Sequence, residues 1–116
     1  MSSPSPSSLL ALHHFHGAAT RVAPGATAFA LRREHLLAEV IAAWPGGDAT
    51  PHHAWVERVT DALAPGALPG GYPNILGPRD TERARLGFGA NADRLLAAKR
   101  RYDPDGVLTA IAAIAP

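Results

Sequence analysis

Hydrophobic residues along this chain fall into short runs, each closed by proline or glycine. The first is Leu12 to Val22, stopped by Ala23-Pro24-Gly25. Its length and its stop predict a strand. With period two, Leu12, His14, His16, Ala18, Thr20 and Val22 share one face, and His13, Phe15, Gly17, Ala19 and Arg21 share the other. Gly17-Ala18-Ala19 leaves a shallow patch where a ring system or another backbone can approach. Thr27 to Leu31 predicts a second short extended piece, closed by Arg32-Arg33, a pair that reads as a solvated turn or an anion holder. From His35 to Trp44 the pattern fits two periods. Leu36, Leu37, Val40, Ile41 and Trp44 stand at helical spacing, and intrinsic propensity favours the helix. The same residues make a near-continuous apolar strand cut off by Pro45-Gly46-Gly47, with Leu37, Glu39, Ile41 and Ala43 on one face. Pattern alone leans to the helix.

Thr50 to Ala64 is the clearest helix. Thr50 suits an N-cap, Pro51 suits the first helical position, and Trp55, Val56, Val59, Ala62 and Leu63 form an apolar stripe ended by Pro65-Gly66. Further on, Asp80 can cap a short helix through Leu86 that Gly87 stops. Asn91 can cap another to about Arg101, with Leu95, Ala98 and Tyr102 on one side and Lys99, Arg100 and Arg101 in the last turn, where cations meet the negative helix end. Asp103-Pro104-Asp105-Gly106 signals a turn, and Val107 to Ile114 is an apolar tail that pairs as a strand or docks. Met1 to Ser8 is Ser/Pro-rich and reads as disordered.

Composition narrows the function. The 116 residues suffice for one domain. With 11 Lys plus Arg against 10 Asp plus Glu, the chain lacks the basic excess of a nucleic-acid binder. No apolar run approaches the roughly 18–20 residues of a membrane span, and no Lys or Arg precedes Leu9 as a signal peptide would need. The expected compartment is the cytoplasm, and no membrane or nucleic-acid partner is expected. The chain has no Cys, which excludes disulfides and thiolate metal sites. Much of the 47% apolar content is alanine, which buries little area, so the core should be thin. That composition fits a chain packed against something else, and equally a GC-rich genome.

Candidate chemistry gathers in the loop 68–78. Two glycines besides Gly77 and three prolines keep it out of regular structure, and Tyr72 and Asn74 are its notable polar side chains. Pro73 favours an extended Tyr72, and in an extended segment residues i and i+2 face the same way, so phenol and carboxamide should project together. His14 and His16, with His52 and His53, prompt a metal check. No carboxylate or Cys completes a known spacing, and no metal is expected. Nucleotide-binding glycine motifs and nucleophile elbows are absent from the sequence, as are internal repeats.

Gly70-Gly-Tyr-Pro-Asn-Ile-Leu-Gly-Pro78, then Asn91 with Leu95, then Lys99-Arg-Arg-Tyr-Asp-Pro-Asp-Gly-Val107, resembles the C-terminal segment of berberine-bridge-enzyme-like FAD-linked oxidoreductases. Upstream, His13-His-Phe-His-Gly-Ala18, Thr27-Ala-Phe29 and Glu39-Val-Ile-Ala-Ala-Trp44 resemble the last strands of the substrate domain of the same flavoproteins. The resemblance covers nearly all of residues 12–116 in the family's order.

The resemblance implies that 12–44 supplies antiparallel strands covering the flavin ring, which overrides the helix preference for 35–44. The family's Tyr-x-Asn motif maps onto Tyr72 and Asn74, which in such enzymes lie beside the flavin. In several members the tyrosine helps take a proton from the substrate hydroxyl while hydride passes to FAD. A phenol with its ordinary pKa near ~10 is a poor base and needs a helping group. Other members use a carboxylate or amide on a strand near Glu39, making Glu39 a second catalytic candidate. The chain departs from the family in lacking the FAD-binding domain, with its glycine-rich pyrophosphate segment and the His or Cys flavin tethers. Gly106 and Leu108 also replace the Asn and Phe common in the family's terminal turn.

The expected fold is α+β: a small antiparallel sheet of two or three strands with helices at 51–64, 80–87 and 91–101. Residues 1–10 are assigned to a disordered tail, 11–64 to the end of a substrate-domain sheet and helix, and 65–116 to the berberine-like segment. The expected function is the C-terminal part of an FAD-dependent oxidoreductase. It covers the flavin and shapes the site where an alcohol-type small-molecule substrate gives hydride to FAD. An FAD-binding domain on a separate chain is the expected partner, since the lid alone should not hold FAD tightly. The alternatives are a truncated non-catalytic remnant and a small binding module.

Overall fold

Strand β1 covers Leu9–Phe15 and strand β2 covers His35–Ile41, and the two pair as an antiparallel two-stranded sheet. The structure, a computed structural model, describes residues 2–108. Helix α1 follows over Thr50–Leu63, then α2 over Thr81–Phe88 and α3 over Ala92–Tyr102. A 3-10 turn at Gly89–Asn91 joins α2 to α3. The fold is a small mixture of helix and strand.

By internal contacts the chain forms two compact units, Met1–His14 with His35–Ala67, and Phe15–Glu34 with Leu68–Pro116. In the first unit, Ser8 locks one end of the sheet: its hydroxyl donates to the Ala43 carbonyl at 3.3 Å and accepts from the Ala43 amide at 3.1 Å. The Ser/Pro stretch is thus no loose tail. Ser5 and Ser8 are buried, and Leu9 and Leu10, assigned above to disorder, are strand residues. The core of this unit lies under α1, where Trp55, Val59 and His52 are buried on one helical face. Val56 is half-buried, while Ala62 and Leu63, expected in the same stripe, are exposed. Trp44 caps that face by stacking on His52, ring centroids 4.4 Å apart and 8° from parallel. Thr50 is the first helical residue rather than the cap; its amide donates to the Asp48 carboxylate at 2.9 Å.

Several expected extended pieces differ. The strand predicted over 12–22 stops at Phe15, where positive-φ Gly17 opens a 3-10 turn over Gly17–Arg21. Residues 27–31 pair with no strand and form a loop. Over 35–44, where pattern leaned to a helix and the resemblance implied a strand, the chain forms β2: apolar residues with no polar face suit a paired strand as well as a helix.

In the second unit, Leu76 and Ala84 form the buried core, with Phe88 packed on it. Helix α2 does not stop at Gly87 but passes through it and ends at Gly89, whose φ is +52°. Asp80 holds the N-cap position, yet its carboxylate turns back to accept from the Gly77 amide at 2.9 Å. At the end of α3, Asp103 accepts from the Lys99 ammonium and from the amides of Val107 and Leu108, closing the turn predicted at 103–106. Most of the apolar tail expected over 107–114 lies outside the described residues.

Candidate functional site

The loop carrying Tyr72 is set by backbone packing on α2. Gly70 adopts φ +96°, and a Cβ there would stand 2.7 Å from the Gly87 nitrogen. A Cβ on Gly87 would in turn press into the carbonyl oxygen of Gly71. Glycine on both sides is what lets the loop lie directly on the helix. Tyr72 is extended, as Pro73 demands, with φ −81° and ψ 111°. Beyond it the chain is not extended. Pro73–Ile75 is a 3-10 turn, closed by the Ile75 amide donating to the Tyr72 carbonyl at 3.1 Å.

Tyr72 and Asn74 therefore meet by a different route from strand alternation. The turn brings the Asn74 carboxamide around so that Nδ2 donates to Tyr72 Oη at 3.1 Å. That donor addresses the atom on which negative charge collects when a phenol loses its proton. The Tyr72 ring rests edge-on against Phe29, centroids 5.6 Å apart at 89°, and Phe29 in turn meets Phe15 at 5.8 Å and 62°. The Tyr72 side remains partly open, with 37% of the residue exposed.

Phe29 is the neighbour that sequence reading missed; it stood as part of a short extended piece and of the resemblance to substrate-domain strands, with no contact to Tyr72 assigned to it. Arg32, read as half of a solvated or anion-holding pair, also serves it. Its guanidinium lies 5.4 Å from the Phe29 ring centroid and donates through Nε to the Phe29 carbonyl at 3.2 Å and through Nη1 to the Ala19 carbonyl at 3.4 Å. Asn91, expected as a helix cap, makes no cap hydrogen bond; its buried amide reaches the carbonyls of the loop before Phe29.

Glu39, the other catalytic candidate, belongs to the first unit. Its carboxylate stands 3.4 Å from His13 Nε2 and is about a quarter exposed. Among the described residues no group of three or more His, Asp or Glu side chains could hold a metal ion. No helix of the described residues is long and apolar enough to cross a membrane.

The Tyr72 surface suits the ring end of a flavin: it offers an aromatic cluster, a phenol oxygen and an amide donor side by side. The diphosphate end finds no glycine-rich phosphate motif in this sequence.

Residues 71–115 match the family model of berberine and berberine-like domains. The chain is also 33% identical over 92 residues, 78% of its length, to the uncharacterized FAD-linked oxidoreductase YgaK of Bacillus subtilis strain 168. It spans about a fifth of that relative, 20% of its length. The loop, the Tyr72–Asn74 pair and the two helices that follow thus lie in a berberine-like segment, similar to that of an FAD-linked oxidoreductase.

Proposed function

We propose that this chain is the substrate-domain end and berberine-like segment of an FAD-dependent oxidoreductase, which covers the flavin and completes the site where an alcohol-type substrate is oxidised. The observation that carries the reading is the Tyr72–Asn74 hydrogen bond inside the matched segment, with the Tyr72 ring resting on Phe29 from outside it. The similarity to an FAD-linked oxidoreductase supports FAD as the cofactor.

When bound, FAD supplies the two-electron acceptor for the hydride that leaves the substrate carbon. The substrate hydroxyl proton then needs a basic oxygen within hydrogen-bond reach. Tyr72 Oη is the oxygen to which this reading assigns that proton. The Asn74 amide donates to that oxygen and orients the ring. Phe29 excludes water from one side of the phenol. Glu39 is the second candidate for proton transfer, with its carboxylate 3.4 Å from His13 Nε2.

The remaining part of the enzyme, with its FAD-binding domain on the same or a separate chain, is the proposed partner. Large apolar side chains on the strands support this. Leu12 is 57% exposed and Leu36 60%, which suits strands that a partner covers.

The test is Tyr72→Phe in the flavin-bearing protein. Removing the proton acceptor should lower kcat on the order of 10²–10⁴-fold with little change in KM. Unchanged kcat would remove Tyr72 from the chemistry.

A further inference from the structure

We infer that Asn91 is a positioning residue for Tyr72, acting through Phe29. What the alignment serves rests on the flavoenzyme reading above, but the alignment itself does not.

Asn91 is only 8% exposed and stands at the start of α3. Its Nδ2 donates toward the carbonyls of Pro24 at 2.6 Å, Thr27 at 3.0 Å and Ala28 at 3.3 Å. One amide group thus ties together both ends of a turn that is also closed by the Ala26 amide on the Ala23 carbonyl at 3.0 Å. Arg94, one turn further along α3, adds a bond to the Gly25 carbonyl at 3.3 Å. Four successive or near-successive carbonyls therefore converge on two side chains of one helix.

Phe29 comes immediately after this clamp. On its other side the Ala30 amide donates to the Gly87 carbonyl of α2 at 3.3 Å. The residue is pinned fore and aft, to α3 through Asn91 and to α2 through Gly87. Gly87 is also the seat of the Gly70–Gly71 backbone that leads into Tyr72. The ring contact between Phe29 and Tyr72 is therefore fixed from both partners' backbones. Asn91 supplies the α3 side of the Phe29 half, alongside the Arg32 guanidinium on the Phe29 carbonyl and ring.

The chemistry requires a neutral donor of this reach. An aspartate of the same shape has no N–H and sets a negative charge against three carbonyl oxygens. A serine is neutral but too short to bridge them.

The test uses the full chain labelled with 3-fluorotyrosine and read by fluorine NMR. Only Tyr72 and Tyr102 carry the label, and Tyr102→Phe assigns the pair. Tyr102 is 73% exposed and serves as the solvent reference. Asn91→Asp should move the Tyr72 resonance toward that of Tyr102 while the Tyr102 resonance and the helical circular dichroism stay in place. Phe29→Leu should produce the same movement. The double variant should add nothing to Phe29→Leu alone, because the effect travels through that ring. If Asn91→Asp does not fold, Asn91→Ser is read in the same way. A Tyr72 resonance unmoved by the Asn91 substitution, or shifts that add in the double variant, would overturn the proposal. Because the readout needs no flavin, a shifted resonance upholds the positioning role by itself, and the oxidoreductase reading fails separately if the flavin-bearing protein shows no turnover.

Discussion

Gly70 and Gly87 meet backbone to backbone: a methyl group on Gly70 would stand 2.7 Å from the Gly87 nitrogen. This contact puts the Tyr72 loop on α2 without an intervening side chain. Gly87→Ala would drive its new methyl into the Gly71 carbonyl, and neither backbone can yield cheaply. Overpacking of this kind costs about 1–3 kcal/mol. Urea unfolding should show that loss for Gly87→Ala. Gly66→Ala, at a site with nothing within 4 Å, should be close to neutral.

Acid should loosen both units through their loop aspartates. The Lys99 ammonium, with the amides of Val107 and Leu108, holds the Asp103 carboxyl below the usual aspartate range. The Thr50 amide does the same for Asp48. Since the folded values are the lower ones, this stability is fully present above the unfolded aspartate value near ~3.9 and is shed as pH falls from there through the folded values. The urea midpoint followed against pH should fall below about pH 4. Asp103→Asn should flatten that fall, because the variant has no carboxyl to protonate at this position.

Trp55 dominates the small core under α1 and is 4% exposed. Trp55→Ala should cost about 3 kcal/mol or more in unfolding free energy. The indole Nε1 is buried without a protein partner among the described residues. Trp55→Phe therefore loses no hydrogen bond and should cost clearly less than Trp55→Ala, which a pair of denaturant curves would separate.

How much of this could be read in advance depended on whether a residue's use was local. Pro51 at the start and Pro65-Gly66 at the end bracket α1 because their backbone constraints act on the spot. Tyr72 was extended for the same local reason, and its pairing with Asn74 was anticipated although the 3-10 turn that makes it was not. Asn91 and Asp80 stood at cap positions, but their side chains are spent elsewhere. Short polar side chains can cap a helix or bind any nearby backbone, and only the fold decides which. Gly87 looked like a helix stop, whereas its role is to receive the backbone of a loop sixteen residues earlier in the chain. For β2, one apolar pattern suited both a helix and a strand, so pairing with β1 settled what periodicity could not. Phe29 carried no signal of its place beside Tyr72, because that contact joins segments more than forty residues apart.

The central claim is that this chain works as part of an FAD-dependent oxidoreductase. The most direct measurement is the visible absorbance spectrum of the protein purified from its own host under a tag at the native locus, with a denaturing gel alongside. Flavin absorbance is expected, together with either a single larger polypeptide carrying this segment or a second, flavin-bearing band. A colourless single species that takes up no added FAD would contradict it.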